Sequence, residues 1–498
     1  MARIRIDLDR KLGRVDRRIF GNFIEHLGRC IYGGVFDEGS PLSDERGFRT
    51  DVLRAVKGLQ VPLLRWPGGN FVSGYHWTDG IGPRDQRPRR MELAWGAEES
   101  NRFGTDDFLA YCEAMGTEPY ICVNMGSGTF DEAQAWVEYC NGTGNTYWAN
   151  LRRANGHPEP YGVKLWGLGN EMYGAWQIGA LDAEAYVKKA RQFASVMKLT
   201  DPSIELVSCG QWGFGDWDRI VVEGLARMVR YHSVHIYTGS PDFERNVLMP
   251  HQAERALRVC AAYIEKVRYE QRIDHPIGIA YDEWNVWYRT RSAAERANGL
   301  EEQYDLSDAL AVATFLNIFI RYCRWVEIAN LAQMVNVIAP IFTNREGLFL
   351  QTIYHPLRLY AEHVQPVALD AYVDAPTRSV SGLSGAPTDE RPWDISGLGP
   401  FSLLDVSATH DPDSGSVCLA VVNRSRSEAL PTSIALGGTA AGSVRCYTVN
   451  GPDVSSQNSF EAPDCVGVRE AIVEAQGNAL DYTFEPHSVT LLRYGSQK

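Results

Sequence analysis

The sequence predicts a (β/α)8 barrel followed by an all-β sandwich of jelly-roll-like type, and three observations lead there. Short apolar runs alternate with longer amphipathic stretches from about residue 17 to 363. Eight such repeats fit a closed parallel barrel better than an open doubly wound sheet. No Gly-x-Gly-x-x-Gly loop opens any helix, which leaves a nucleotide-binding sheet without support. After Pro366 the pattern turns to short alternating runs, the mark of a sandwich.

Taken in order, Arg3–Leu8 alternates charged and apolar residues like a half-buried strand and holds no hydrophobic secretory core. Residues 1–15 are expected to join the C-terminal domain. The barrel is placed at 16–365. Its strands are predicted at Ile19–Ile24, Val61–Arg65, Pro119–Asn124, Val163–Leu168, Glu205–Cys209, Ser233–Ile236, Ile277–Tyr281 and Ile328–Met334. Amphipathic stretches such as Asp182–Lys198, His251–Val267 and Ser307–Arg324 are read as helices. The most apolar stretch, Ala309–Ile320, is broken by Thr314 and Asn317 and is too short to span a bilayer. Gly, Ser, Pro and Asp thicken around Arg378–Gly399. Strands are then expected at Phe401–Ala408, Ser416–Asn423, Ser443–Val449, Val466–Glu474 and His487–Tyr494, within a domain at 366–498.

The composition is that of an ordinary globular protein, 44% hydrophobic and 22% charged, and the length suffices for a barrel plus a smaller domain. The net charge of −13 and the lack of a basic stripe argue against nucleic acid and anionic membrane as partners. Ten scattered cysteines form no Cys-x-x-Cys pair, so they are read as buried free thiols in a reducing cytoplasm. Thirteen Trp and 23 Tyr exceed what a core needs and leave flat platforms for sugar rings.

Chemistry is expected at the C-terminal strand ends, where active sites of such barrels gather. Those ends are polar throughout: Glu25, Arg65 with Asn70, Asn124, Asn170 with Glu171, Gln211, His235 with Tyr237, Asp282 with Glu283, and Gln333 with Asn336. Glu171 closes the fourth apolar run and Glu283 the seventh, so the two project into one crater from opposite sides. A carboxylate at the end of a buried strand is costly unless paired or used. Two facing each other are the equipment for cleaving a glycosidic bond. Glu171, among Trp166, Met172 and Trp176, is expected to hold its proton as general acid. Glu283, sharing the crater with Arg65 and His235, is expected to stay bare as nucleophile. That assignment requires carboxyl groups about 5–5.5 Å apart and net retention of configuration. Asp282 should point to the opposite face of its strand and serve as scaffold. The spacing of His232 and His235 fits no usual metal cluster.

The chain resembles glycoside hydrolase family 51, the intracellular α-L-arabinofuranosidases. The resemblance runs through Ile19–Gly34, Arg65-Trp66-Pro67-Gly68-Gly69-Asn70-Phe71, Leu93-Ala94-Trp95, Leu168–Met172, Trp176–Gly179, Asp282–Trp287 and Ala332–Val337. It implies double-displacement hydrolysis of terminal arabinofuranosides, with Glu171 as acid/base and Glu283 as nucleophile. It further implies that Glu25, Asn70, Asn170, Tyr237 and Gln333 hydrogen-bond the sugar, that Trp95 and Trp287 form apolar walls, and that Arg65 and His235 support Glu283. The partner is then an arabinose-containing oligosaccharide, with no metal or organic cofactor, and the assembly is a homo-oligomer, usually a hexamer. Many members carry Cys, Asp and Pro where this chain has Gly167, Tyr173 and Ala175, which leaves leaving-group preference open. A β-xylosidase or endo-β-glucanase on the same barrel is the rival within catalysis. A non-catalytic sugar-binding protein is the remoter one, disfavoured because both glutamates are kept.

Overall fold

The computed structural model describes residues 1–288, 300–380, 394–437 and 442–495. Much of the Gly/Ser/Pro/Asp-rich stretch at Arg378–Gly399 lies outside the described residues. The first strand, β1 (Ala2–Arg14), buries alternate side chains Ala2, Ile4 and Ile6. The barrel then forms from β2 (Gly21–Phe23), β3 (Leu63–Trp66), β4 (Glu118–Val123), β5 (Leu165–Leu168), β6 (Glu205–Ser208), β7 (Tyr231–Thr238), β8 (Gly278–Val286) and β9 (Val326–Ala332). Parallel pairing runs in sequence order and β9 closes onto β2, giving a complete eight-stranded barrel. Its interior is plugged by Leu63, Tyr120, Cys122, Leu165, Val207, Tyr231, Ala280 and Ile328. The predicted strands lie within a few residues of these. The largest difference is at β8, which continues past Tyr281, so Glu283 lies within the strand rather than after it.

The helices form where the sequence supplies both an apolar stripe and a cap. Asp182 accepts from Ala185 N ahead of Ala183–Thr200, and Asp305 with Asp308 makes a capping box ahead of Leu306–Arg321. The latter helix contains the most apolar stretch of the chain, and nearly every residue in it is buried. It packs between the barrel and the C-terminal domain. Its polar interruptions are satisfied inside. Asn317 donates to Asp405 and accepts from Tyr360 and Ser407, and the Thr314 hydroxyl donates to the Leu310 carbonyl. No helix among the described residues is long and apolar enough to cross a membrane.

The C-terminal strands are β10 (Val367–Asp374), β11 (Leu404–His410), β12 (Val417–Asn423), β13 (Leu430–Leu436), β14 (Ser443–Asn450), β15 (Gly467–Glu474), β16 (Ala479–Phe484) and β17 (Ser488–Tyr494). With β1 they make one nine-stranded sheet in the order β15-β14-β17-β12-β11-β10-β1-β13-β16. Residues from both ends of that order share one core, including Val444 and Cys446 on one side and Ile434, Leu480 and Phe484 on the other. The sheet therefore folds over on itself. β1 sits inside it, antiparallel to β10 and parallel to β13. Nine of the ten cysteines are buried and all are free; Cys465 is exposed, contrary to the expectation that all would be buried.

Candidate active site

The two glutamates meet. An oxygen of Glu171, a nitrogen of His235 and an oxygen of Glu283 all lie within 4.8 Å of one another at the C-terminal mouth of the barrel. Glu171 stands three residues past Leu168, the end of β5, with φ of +44°, a left-handed conformation that a non-glycine residue holds only where the surroundings impose it. Gln177 supplies part of that constraint, donating to the Asn170 carbonyl and to Ser73.

Glu283 reaches the mouth by a different route. Between Ala280 and Glu283, β8 spends three residues where β7 spends two, and the same mismatch appears against β9. This is a β-bulge, and it breaks the alternation of side chains. Tyr281 and Trp284 point outward and pack on Phe315 and Phe319. Asp282 and Glu283 both turn into the barrel, so the expectation that Asp282 faces the opposite way is corrected. The extra residue in the strand puts two consecutive carboxylates on one side.

Arg65 holds both. Its Nη1 donates to Glu283 Oε2 at 2.8 Å, its Nη2 donates to Asn170 Oδ1 at 2.5 Å, and its Nε lies 3.7 Å from Asp282 Oδ2. Tyr237 donates to Glu283 Oε1 at 2.6 Å, and its ring sits edge-on to Trp287 at 5.1 Å. His235 was expected to serve Glu283, but it lies in a fork: Nδ1 is 3.1 Å from Glu171 Oε1 and 3.4 Å from Glu283 Oε2. Burial works against charge on this ring, but Glu283, Asp282 and Glu171 outweigh it and push His235 up to about 10. Burial would likewise raise Asp282, yet Arg65 and His235 hold it well below the usual carboxylate range.

Glu171 has more polar company than the sequence implied. Oε1 also accepts from Tyr173 at 3.1 Å, and Oε2 accepts from the Trp176 indole at 3.2 Å. Trp176 is 62% exposed, so the acid's outer side is open. Trp166, expected beside it, packs instead behind the sheet against Trp136. Gly167 leaves room that Tyr120 and Cys122 occupy, since a Cβ there would lie 2.8 Å from the Cys122 sulfur.

On the other wall, Glu25 accepts from Phe71 N, the Trp95 indole and Gln333 Nε2, each at 3.0 Å. Burial pushes Glu25 up to about 8 against the pull of those donors, with Glu283 adding to the rise. Gly68 and Gly69 let the chain pass this close, since a Cβ on either would come within 2.7 Å of the Glu25 side chain. Trp95 is set by its hairpin (Arg90–Glu92 and Ala97–Glu99), where Glu92 accepts from the Ala94 and Trp95 amides. Asn70 opens the turn Asn70–Gly74 and is partly exposed. Asn170 Nδ2 is buried without a protein partner.

Other polar strand ends serve the scaffold. Asn124 bonds to Tyr75 and Ser127, Asn336 to Arg29 and Thr343, and the Gln211 carbonyl accepts from His235 N. Sequence reasoning singled out neither Tyr120 nor Ser233, which donate to Asp282 at 2.7 and 2.5 Å. Both sit on predicted strands at inward positions, which is the signal that was available. The Glu171–His235–Glu283 grouping is compact enough for a metal ion, but the donor set is wrong for one. Both carboxylates are already engaged: Arg65 and Tyr237 donate to Glu283, and Tyr173 and Trp176 donate to Glu171.

Two family models match the chain: the α-L-arabinofuranosidase 1 domain over residues 55–255 and the α-L-arabinofuranosidase C-terminal domain over residues 282–488. A protein of Aspergillus flavus described as a probable α-L-arabinofuranosidase C is 45% identical, over 99% of this chain and 97% of its own. An intracellular exo-α-(1→5)-L-arabinofuranosidase of Halalkalibacterium halodurans is 39% identical over 85% of each. The solved GH51 α-L-arabinofuranosidase of Thermotoga petrophila superposes with a TM-score of 0.92 at 42% identity, covering 99% of this chain and 100% of that one. Matched through barrel and sheet alike, the chain belongs to glycoside hydrolase family 51, the α-L-arabinofuranosidases.

Proposed function

We propose that the protein is a retaining, exo-acting α-L-arabinofuranosidase that releases terminal non-reducing α-L-arabinofuranosyl residues from arabino-oligosaccharides. The observation that carries the mechanism is the approach of Glu171 and Glu283 oxygens to within 4.8 Å. That is the close spacing of a double displacement, since an inverting pair stands roughly 6.5–9.5 Å apart to admit a water.

Glu283 attacks the anomeric carbon while Glu171 delivers its proton to the departing oxygen, and the sugar becomes an ester of Glu283. Glu171, now a carboxylate, takes a proton from water, whose oxygen attacks the same carbon and restores free Glu283. Arg65 and Tyr237, each bonded to a different Glu283 oxygen, aim the nucleophile. Glu25, Asn70, Asn170 and Gln333 bind the sugar hydroxyls, the orphan Asn170 Nδ2 being one ready donor, and Trp95 and Trp287 wall the ring. The named activities of the relatives support this substrate class. We place the enzyme in the cytoplasm, a reading favoured by ten free thiols, and take it as a homo-oligomer, a hexamer by family resemblance alone.

The test is transfer from 4-nitrophenyl α-L-arabinofuranoside to methanol, read by proton NMR. The methyl α-anomer is expected, and the β-anomer would refute double displacement. Glu283→Ala should abolish turnover, and unimpaired hydrolysis would end its assignment as nucleophile.

A further inference from the structure

We propose that Asp282 is a positioning residue for the reaction: it faces inward behind His235, where it fixes that ring in the fork between Glu171 and Glu283. The inference rests on the hydrolytic reading above and names a part that reading does not need.

Asp282 is 1% exposed and lies inside the barrel, below the sugar pocket. Its position is over-determined. Oδ2 accepts from Tyr120 on β4 at 2.7 Å, and Oδ1 accepts from Ser233 on β7 at 2.5 Å. Arg65 on β3 faces Oδ2 at 3.7 Å. The thiols of Cys122 on β4 and Cys209 after β6 are the remaining titratable neighbours, and both stay protonated because burial raises them. His235 Nε2 stands 3.3 Å from Oδ1, a charge contact off the axis of a straight hydrogen bond. The other ring nitrogen reaches both glutamates.

A buried carboxylate held by two hydroxyls cannot swing away, so it fixes both the location and the charge of the ring. The ring's own position matters because its charge is shared. While Glu283 is free, the imidazolium divides its attraction between two acidic groups. Once Glu283 is esterified, only Glu171 faces Nδ1, and the same cation favours Glu171 as a carboxylate. That is the form the second step requires. Alternation from Ala280 already points Asp282 inward, and the bulge adds Glu283 to the same side, so His235 has a fixed anion behind it and the nucleophile in front.

The experiment is Asp282→Asn in the full chain, which keeps size, turns one acceptor into a donor that a hydroxyl oxygen can accept, and removes the charge. In 15N-histidine-labelled enzyme, the His235 ring is assigned by its loss in His235→Gln. It should carry both protons through neutral pH in the parent and titrate within the neutral range in D282N. kcat/KM for 4-nitrophenyl α-L-arabinofuranoside should fall roughly 10- to 100-fold, as for other outer partners of reacting groups. The fall should be steeper on the alkaline side, and D282N should add no further loss to His235→Gln. An unchanged ring titration, or a pH profile superimposable on the parent with only Tm lowered, would overturn the proposal. Should D282N fail to fold, the parent decides: a neutral His235 ring at pH 7 ends it. The ring titration needs no turnover, so it separates the two failures: an inactive parent sinks the hydrolase reading, whereas an unchanged titration in D282N sinks the hold of Asp282 on His235.

Discussion

Replacing Arg65 by Met tests the electrostatic core of the site, because it removes one cation from between two buried acids and keeps much of the stem. The guanidinium lies 2.8 Å from Glu283 and 3.7 Å from Asp282. At an effective dielectric constant of about 20 these pairs are worth ~6 and ~4.5 kcal/mol before desolvation. Burying a side chain that is 1% exposed offsets much of this. Breaking such a buried cluster from one side leaves a net cost of about 3–5 kcal/mol. For a chain of this length that is a Tm lower by about 3–5 °C near pH 7.5. The pH dependence carries the sharper test. Asp282 is held well below its usual range, so its contribution is fully present above the unfolded value of about 3.9 and is lost as pH falls through the depressed folded value. Without Arg65 the folded value rises, and keeping Asp282 charged becomes unfavourable at neutral pH. The Tm difference between parent and R65M should therefore be largest near pH 8 and shrink towards about pH 4.5. Differential scanning calorimetry at both pH values reads it. An equal penalty at both would refute the view that Arg65 acts chiefly by holding Asp282 charged.

Glu171→Ala should spare 4-nitrophenyl α-L-arabinofuranoside and slow arabino-oligosaccharide hydrolysis by about 10²–10⁴-fold, because only a poor leaving group needs the proton; equal losses on both would refute the acid role. Gly68→Ala forces φ of +145° on a residue with a Cβ and sets that Cβ 2.6 Å from Glu25 Cγ. A cost of about 1–3 kcal/mol in thermal unfolding and a several-fold higher KM are expected; an unaltered KM would show that the glycine pair does not place Glu25.

Much of this site is readable in the amino-acid string because barrel strands announce their ends. Glu25, Arg65, Asn170, Glu171 and Glu283 each terminate or follow an apolar run, and the structure gathers all five around one mouth. What escapes is what period-two reasoning assumes away. Strict alternation sets Asp282 and Glu283 on opposite faces, and a single inserted residue brings both to the same side. His235 is assigned to one glutamate because sequence proximity says nothing of a ring's second neighbour. β13 (Leu430–Leu436) alternates buried and exposed residues faithfully, but Pro431 and the short polar residues around it disguise a strand that pairs on both edges. Cys465 lies in a loop beyond the reach of any periodicity, so its exposure carries no sequence signal.

The placement of β1 between β10 and β13 has a consequence for how the molecule is made. Ile4 and Ile6 are covered only once β10 and β13, far along the chain, pair with that strand. A barrel cut free at residue 365 would carry that strand as a sticky ribbon, and a chain lacking its first fourteen residues would part β13 and β16 from the rest of the sheet. Fragments are therefore poor stand-ins for the enzyme: β1 is clasped between β10 and β13, and the catalytic part is delivered as the loop from β1 to β10.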